Sequence, residues 1–146
     1  MFRIIPFQQK YRDDTIFCLL LAKDALCRLP RLNEDLLDIQ GNYFDKGDMF
    51  WIALDDDKRV VGMVGTTTTT ESDMWLRRFY VKPSLKKNGL GSAMLSVVED
   101  YAKSKGIEII HTRFAEDYVE ALQFYSAKGF IESERSDGLR HFIKSI

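Results

Sequence analysis

The chain has little cysteine, proline or histidine: two, three and two residues among 146. Cys18 and Cys27 are nine residues apart in what reads as one helix, where 3.6 residues per turn would place them on nearly opposite sides. They cannot pair there, and buried, inert thiols are expected. His111 and His141 stand isolated in the sequence, and there is no H-E-x-x-H or C-x-x-C spacing, so no metal is expected. The formal net charge is only -1, which gives no strongly basic face and no reason to expect nucleic acid. The longest apolar run, Ile16 to Ala22, is too short to cross a bilayer. The start also lacks the charged-then-apolar layout of a signal peptide. These absences predict a soluble cytoplasmic protein with no membrane partner, and the length predicts one domain over 1–146.

What is present centres on Leu76 to Gly106. Leu76 to Pro83 reads as a strand, and Ser84-Leu85-Lys86-Lys87-Asn88-Gly89-Leu90-Gly91 as a basic turn. Beyond it Leu90, Ala93, Met94, Val97, Val98, Tyr101 and Ala102 follow the spacing of a helix with one buried face. Gly106 ends that helix. Two glycines at its mouth leave no Cβ to keep a ligand from the first-turn N–H groups. Those donors, the positive dipole end and the charges of Lys86 and Lys87 suit a pyrophosphate. A lysine-rich surface turn before a helix explains the spacing alone equally well. A dinucleotide fingerprint would need glycine at Met94, and no G-x-x-x-x-G-K-[ST] occurs.

The flanks supply a mixed order of elements. Phe2 to Pro6 reads as an opening strand, and Asp13-Asp14 as the cap of a helix running to about Arg28. A short helix follows from Asn33 to Gly41, carrying Leu36, Leu37 and Ile39 inward. Met49 to Leu54 and Arg59 to Thr67 form a hairpin around Asp55-Asp56-Asp57-Lys58, and the threonine run Thr66 to Thr70 is read as a structural strand end. Ile107 to His111 is a further strand. Asp117 and Glu120 form a capping box for a helix with Tyr118, Ala121, Leu122 and Tyr125 inward, stopped at Gly129. Phe130 to Arg135 and Leu139 to Lys144 then pair around Asp137-Gly138. The fold class is α/β (α+β), a central mixed sheet flanked by about four helices.

Lys86-Lys87-Asn88-Gly89-Leu90-Gly91, after Val81-Lys82-Pro83, resembles the [QR]-x-x-G-x-[GA] loop of the GNAT superfamily of N-acetyltransferases. Lys86 replaces the usual Arg or Gln. Ala121-Leu122-Gln123-Phe124-Tyr125-Ser126-Ala127-Lys128-Gly129-Phe130 is similar to that family's A-x-x-[LF]-Y-x-x-x-G-F ending, and the order of elements matches the family from end to end. The resemblance implies a GNAT acyl-CoA N-acyltransferase fold with acetyl-CoA as cosubstrate. Its binding residues would be Phe79, Tyr80 and Val81 through their main chain, with Lys86, Lys87, Asn88, Gly89, Leu90, Gly91 and Ser92 of the loop and helix start. Tyr125 would be the general acid that protonates the departing thiolate; without the motif it reads as a core aromatic.

The resemblance leaves the acceptor and the base open. Relatives carry a carboxylate near the end of the strand before the last helix or on the strand before the loop. Here Arg113 and Trp75 stand at those places, and Tyr118 stands where an Asn often contacts the cofactor. Glu71 and Asp73 could reach an amine through a water, yet each reads as a solvated loop acid. Glu34, Asp35, Asp38, Asp45 and Asp48 give the segment from Leu26 to Asp48 an acidic bias, which would suit a cationic amine or simply a solvated face. A small-molecule amine or a protein or peptide amine are both open as acceptor, as is a homodimer. Direct acetyl transfer to a primary amine is the function implied. The alternative is a catalytically weak GNAT-fold module that binds acyl-CoA as a sensor or docks a partner.

Overall fold

The structure, a computed structural model, describes residues 1–146. In chain order its elements are β1 (Arg3–Pro6), α1 (Arg12–Ala25), α2 (Ile39–Asn42), β2 (Phe50–Leu54), β3 (Val60–Thr68), β4 (Asp73–Val81), α3 (Leu90–Ser104), β5 (Ile109–Ala115), α4 (Val119–Ala127), β6 (Ile131–Ser136) and β7 (Leu139–Ser145). The hydrogen-bonded strand order is β1-β2-β3-β4-β5-β7-β6, a mixed seven-stranded sheet accompanied by four α-helices, as the fold-class reading requires. The chain forms two compact units, Met1–Thr67 with Arg77–Val98 and Thr68–Leu76 with Glu99–Ile146. No helix is long and apolar enough to cross a membrane.

In the first unit β1, β2 and β3 pair antiparallel. All five residues of β2 are buried, so both faces of that strand are covered and its sequence is an unbroken apolar run. Phe50, Ile52 and Leu54 share a core with Cys18 and Leu19 of α1 and with Leu36, Ile39 and Tyr43. Across β3, Gly62 makes room for α3: a Cβ there would lie 2.9 Å from the Met94 sulfur. Thr15, Cys18, Leu19 and Ala22 form the buried face of α1, at helical spacing.

Several local expectations fail here for identifiable reasons. Asp13-Asp14 does not cap α1, which starts at Arg12 behind Tyr11 with no side-chain cap bond. Asp14 instead accepts from Arg59 Nη2 at 2.8 Å and from the Val60 N–H at 2.8 Å, tying α1 to the start of β3. The helix ends at Ala25, so Cys27 lies beyond it, exposed, with φ of 57°. Only Cys18 is a buried thiol, and burial pushes its pKa up to about 12. Glu34–Asp38 is a 3-10 turn rather than α-helix. With three residues per turn, Leu36 and Ile39 point inward while Leu37 is 46% exposed. Gly41 lies inside α2, where its N–H is capped by Asp38 at 2.9 Å, and does not stop the helix. On α3 the buried face is Leu90, Met94, Leu95, Val98 and Ala102, with Ala93 exposed, so the stripe is rotated towards Leu95. Thr66 is fully buried and bonds Asp48 at 3.1 Å, the structural role read for the threonine run.

In the second unit the first half of β4 runs parallel to β5, Asp73 to Trp75 beside Ile109 to His111. Strand β7 pairs antiparallel with both β5 and β6. The Asp137-Gly138 turn has positive φ at both residues, 53° and 75°, as a two-residue hairpin of native twist demands. Ile110, Thr112 and Phe114 of β5 are buried, and by strand alternation His111 and Arg113 face the other way. On the buried face Phe114, Phe142, Phe130 and Tyr125 form one aromatic cluster, with centroid separations of 5.1 to 5.5 Å. Helix α4 starts at Val119, with Tyr118 at the position before it and Glu120 in its first turn. Strand β5 begins at Ile109 rather than Ile107, because the Ile107 N–H closes the end of α3 on Ala102 at 2.9 Å.

Candidate active site

In the first unit Pro83–Leu85 makes a 3-10 turn after β4, Lys86 is extended, and Lys87 and Gly89 take φ of 68° and 82°. A Cβ on Gly89 would meet nothing within 4 Å, so glycine is required by the backbone conformation rather than by crowding. The first helical hydrogen bond runs from the Ala93 N–H to the Gly89 carbonyl at 3.0 Å. The N–H groups of Leu90, Gly91 and Ser92 therefore precede the ladder, at the positive end of a 15-residue helix. Leu90 is buried and anchors that end, while Lys87, Asn88 and Gly89 are exposed and Lys86 half-buried. Three backbone donors thus stand ahead of the helical ladder at the end of this turn.

Phe79, Tyr80 and Val81 form the end of β4 and are half-buried. The Lys82 N–H donates to the Val61 carbonyl at 2.8 Å, fixing this end against β3. Just before it, Arg78 has φ of 50° inside the strand, a conformation uncommon for a non-glycine residue. Its guanidinium grips Asp35 (Nη2–Oδ1 3.0 Å, Nε–Oδ2 3.1 Å), and Asp35 also accepts from the Tyr43 hydroxyl at 2.5 Å. Burial pushes Asp35 up, but the hydrogen bonds from Arg78 and Tyr43 outweigh it and hold the carboxyl below its ordinary value. Burial and the same carboxylate push Tyr43 well above the usual phenol range. The acidic bias around this segment is thus largely internal. Asp35 holds Arg78 and Tyr43, Asp38 caps α2, Asp45 accepts from Gln40 and Asp48 accepts from Thr66, which leaves the exposed Glu34.

In the second unit Tyr125 is 7% exposed. Its ring stacks on Phe114 at 5.5 Å and meets Phe130 edge-on at 5.1 Å and Phe124 at 5.3 Å. Both readings of Tyr125 are therefore compatible: the ring packs in the core, and its hydroxyl is the one polar atom the cluster carries.

The largest correction concerns the two histidines, which do not stand apart. Arg113 faces His141 across β5 and β7, and His111 is two residues before Arg113, so the pleat puts both imidazoles on one face. His111 Nδ1 lies 2.8 Å from His141 Nε2, and His111 Nε2 lies 2.6 Å from Asp73 Oδ2. Both rings stack on Trp75, with centroids 4.8 Å away and planes within 18°, and the Arg113 guanidinium lies 5.0 Å from the Trp75 ring centre. Asp73 is no solvated loop acid. Its Oδ1 accepts from Ser72 at 2.7 Å and Thr70 at 3.0 Å, and these bonds with His111 hold its carboxyl below the ordinary value. His141 is lowered by burial, by His111 and by Arg113. Glu71 is exposed. Sequence reasoning missed this cluster because its members are 30 and 38 residues apart. The available signal was the alternation of β5 and β7, which puts both histidines on the unburied faces.

A model of the acetyltransferase (GNAT) family matches residues 15–130. Among curated proteins, a probable N-acetyltransferase camello of Xenopus laevis is 30% identical over 103 residues, 68% of this chain and 47% of that protein. The chain thus spans about half the length of the curated relatives it matches. Among solved structures, an acetyltransferase of the GNAT family from Staphylococcus aureus superposes with TM-score 0.91 at 22% identity, covering 99% of both chains. The PaiA N-acetyltransferase from Thermoplasma acidophilum, in complex with coenzyme A, has TM-score 0.83 at 15% identity and covers 100% of this chain and 99% of that one.

Proposed function

This chain belongs to the acetyltransferase (GNAT) family, and from that premise we propose that it transfers the acetyl group of acetyl-CoA directly to a primary amine. The observation that carries the reading is the start of α3. Gly89 turns with φ of 82°, the helical ladder opens at Ala93, and the preceding N–H groups belong to Leu90, Gly91 and Ser92. In this role those donors and Asn88 hold the pyrophosphate of the cosubstrate, with Lys86 and Lys87 adding charge. The coenzyme A complex of the Thermoplasma neighbour supports the choice of ligand.

The main chain of Phe79 to Val81 is proposed to hold the pantetheine arm, and an N–H there to stabilise the thioester oxygen as an amine attacks. Tyr125 is proposed as the acid for the thiolate. A thiol titrates near 8.5 and a phenol near 10, so the transfer is uphill by only about 2 kcal/mol. The acceptor is a small-molecule amine or a protein or peptide amine. Thiol release from acetyl-CoA, followed across spermidine, lysine methyl ester, phenethylamine and an alanyl peptide, tests the proposal. Amine-dependent release supports it, and acetyl-CoA binding without release for any amine returns the chain to a sensor.

A further inference from the structure

The second unit carries a hydrogen-bonded chain that the proposed roles leave unused. Asp73 accepts hydrogen bonds from its neighbours and stays ionised, and a carboxylate can only accept. His111 Nε2, 2.6 Å away, must therefore carry a hydrogen. In neutral His111 that leaves Nδ1 as a lone pair, so His141 Nε2 at 2.8 Å must be the donor to it. The remaining nitrogen, His141 Nδ1, is then the basic end of the array. The His111 and Asp73 side chains keep only 14% and 27% of their exposure, and Trp75 stacks on both rings. The chain's only two histidines are held in one orientation.

We propose that His141 is the general base that takes the proton of the acceptor amine, with His111 and Asp73 as the positioning residues that draw that proton inward. The proposal rests on the acetyltransferase reading. The acceptor reaches the protein as RNH3⁺ and gives one proton to His141 Nδ1. His141 passes its Nε2 hydrogen to His111 Nδ1, and the positive charge comes to rest on His111 against the Asp73 carboxylate. The amine nitrogen then bonds the acetyl carbon and the C–S bond breaks. The second amine hydrogen goes to the thiolate through Tyr125, and the histidine chain returns its proton to solvent. The products are RNHCOCH3, HSCoA and one released proton.

Three features favour this chemistry over a merely structural network. The groups facing His141 are His111 and Arg113 from β5 and Glu134 from β6, with Asp73 of β4 behind His111, and burial first, then the charge of Arg113, holds the His141 imidazole below its ordinary value and so neutral near pH 7. A proton entering there has a path one ring further in, to the imidazole whose Nε2 lies 2.6 Å from the Asp73 carboxylate. The array also includes Trp75 and His111, the last pair of the β4–β5 register. Finally, Tyr125 packs on Phe114, whose side of β5 is opposite to that of His111. Proton acceptor and proton donor thus lie towards opposite faces of β5, which keeps them from exchanging a proton directly with each other.

The test uses the full chain in wild-type form and as His141→Gln, His111→Gln and Asp73→Asn. Long-range proton–nitrogen spectra of the wild-type imidazoles at pH 7 should show hydrogen on Nε2 of both rings and a bare Nδ1 on His141. With whichever amine of the panel above is turned over, wild-type log kcat/KM should level off near neutral pH. His141→Gln should lose about 10²- to 10⁴-fold at pH 7, climb with unit slope towards the amine's own pKa, recover with added imidazole, and bind acetyl-CoA as before. Asp73→Asn should move the levelling-off to lower pH. A protonated His141 at pH 7, or a wild-type profile in His141→Gln, would overturn the relay and leave the transferase reading standing. A wild type that binds no acetyl-CoA would instead remove that reading, and the relay's substrate proton with it.

Discussion

Arg78 grips Asp35 through two nitrogens, Nη2 3.0 Å from Oδ1 and Nε 3.1 Å from Oδ2, from a left-handed backbone (φ 50°) in the middle of β4. Such a conformation costs on the order of 1 kcal/mol, and the ion pair offsets it where Phe79 to Val81 begin. Asp35→Ala removes the grip and leaves a half-buried guanidinium without it. Stability should fall by about 1–3 kcal/mol, and acetyl-CoA affinity should fall with it. Glu34→Ala, at an exposed neighbour, should stay within about 0.5 kcal/mol. Equal melting curves for the two variants would show that the pair braces nothing.

Asp14 and Asp35 are two of the carboxylates that contribute to the acid limit. A hydrogen bond from Arg59 holds Asp14 below its ordinary 3.8, and Arg78 and Tyr43 do the same for Asp35 against the opposing effect of burial. The unfolded chain binds these protons more readily than the folded one. Their stabilisation is therefore complete above about pH 4 and is lost as pH falls through the lower folded values. Urea midpoints should be flat in this respect from pH 7 to 5 and drop below about 4. Asp14→Asn should start lower, and its gap from wild type should close as the pH reaches the folded values. A gap independent of pH would mean the charge of Asp14 contributes nothing.

The order of elements is legible because strand and helix periodicities are local, and the turn into α3 because Gly89 sits where the backbone takes φ of 82°. Boundaries failed where tertiary bonds recruited the capping residues: Asp14 looked like a helix cap and is held by Arg59 and Val60. Leu37, expected inward, is exposed because a 3-10 turn and an α-helix diverge within one turn. The histidine pair was invisible for another reason. Its hydrogen bonds join β4, β5 and β7, and only strand register, which is not a local property, brings Asp73, His111 and His141 within 3 Å steps.

Gly91 stands second in α3, among the N–H groups proposed to hold the pyrophosphate. Gly91→Val should abolish acetyl-CoA binding while the protein still melts cooperatively, and Lys87→Ala should weaken binding less. Gly89→Ala should act on the fold instead, costing about 1 kcal/mol through its positive φ. Calorimetry giving wild-type affinity for the Gly91 variant would place the cosubstrate elsewhere.

Tyr125→Phe keeps the ring that packs on Phe114, Phe124 and Phe130, so the melting temperature and acetyl-CoA affinity should change little. Only the hydroxyl is removed, and kcat should fall about 10²- to 10⁴-fold. An unchanged kcat, with acetyl transfer shown to be rate-limiting, would make Tyr125 a core residue alone.

The use of acetyl-CoA is tested most directly by a thermal melt of the free protein with and without it. A ligand that binds only the folded chain adds about 2.7 kcal/mol at a hundred times its Kd, and the account predicts a clear rise in Tm that Gly91→Val does not show. A folded wild-type sample whose Tm stays fixed at millimolar acetyl-CoA would contradict it.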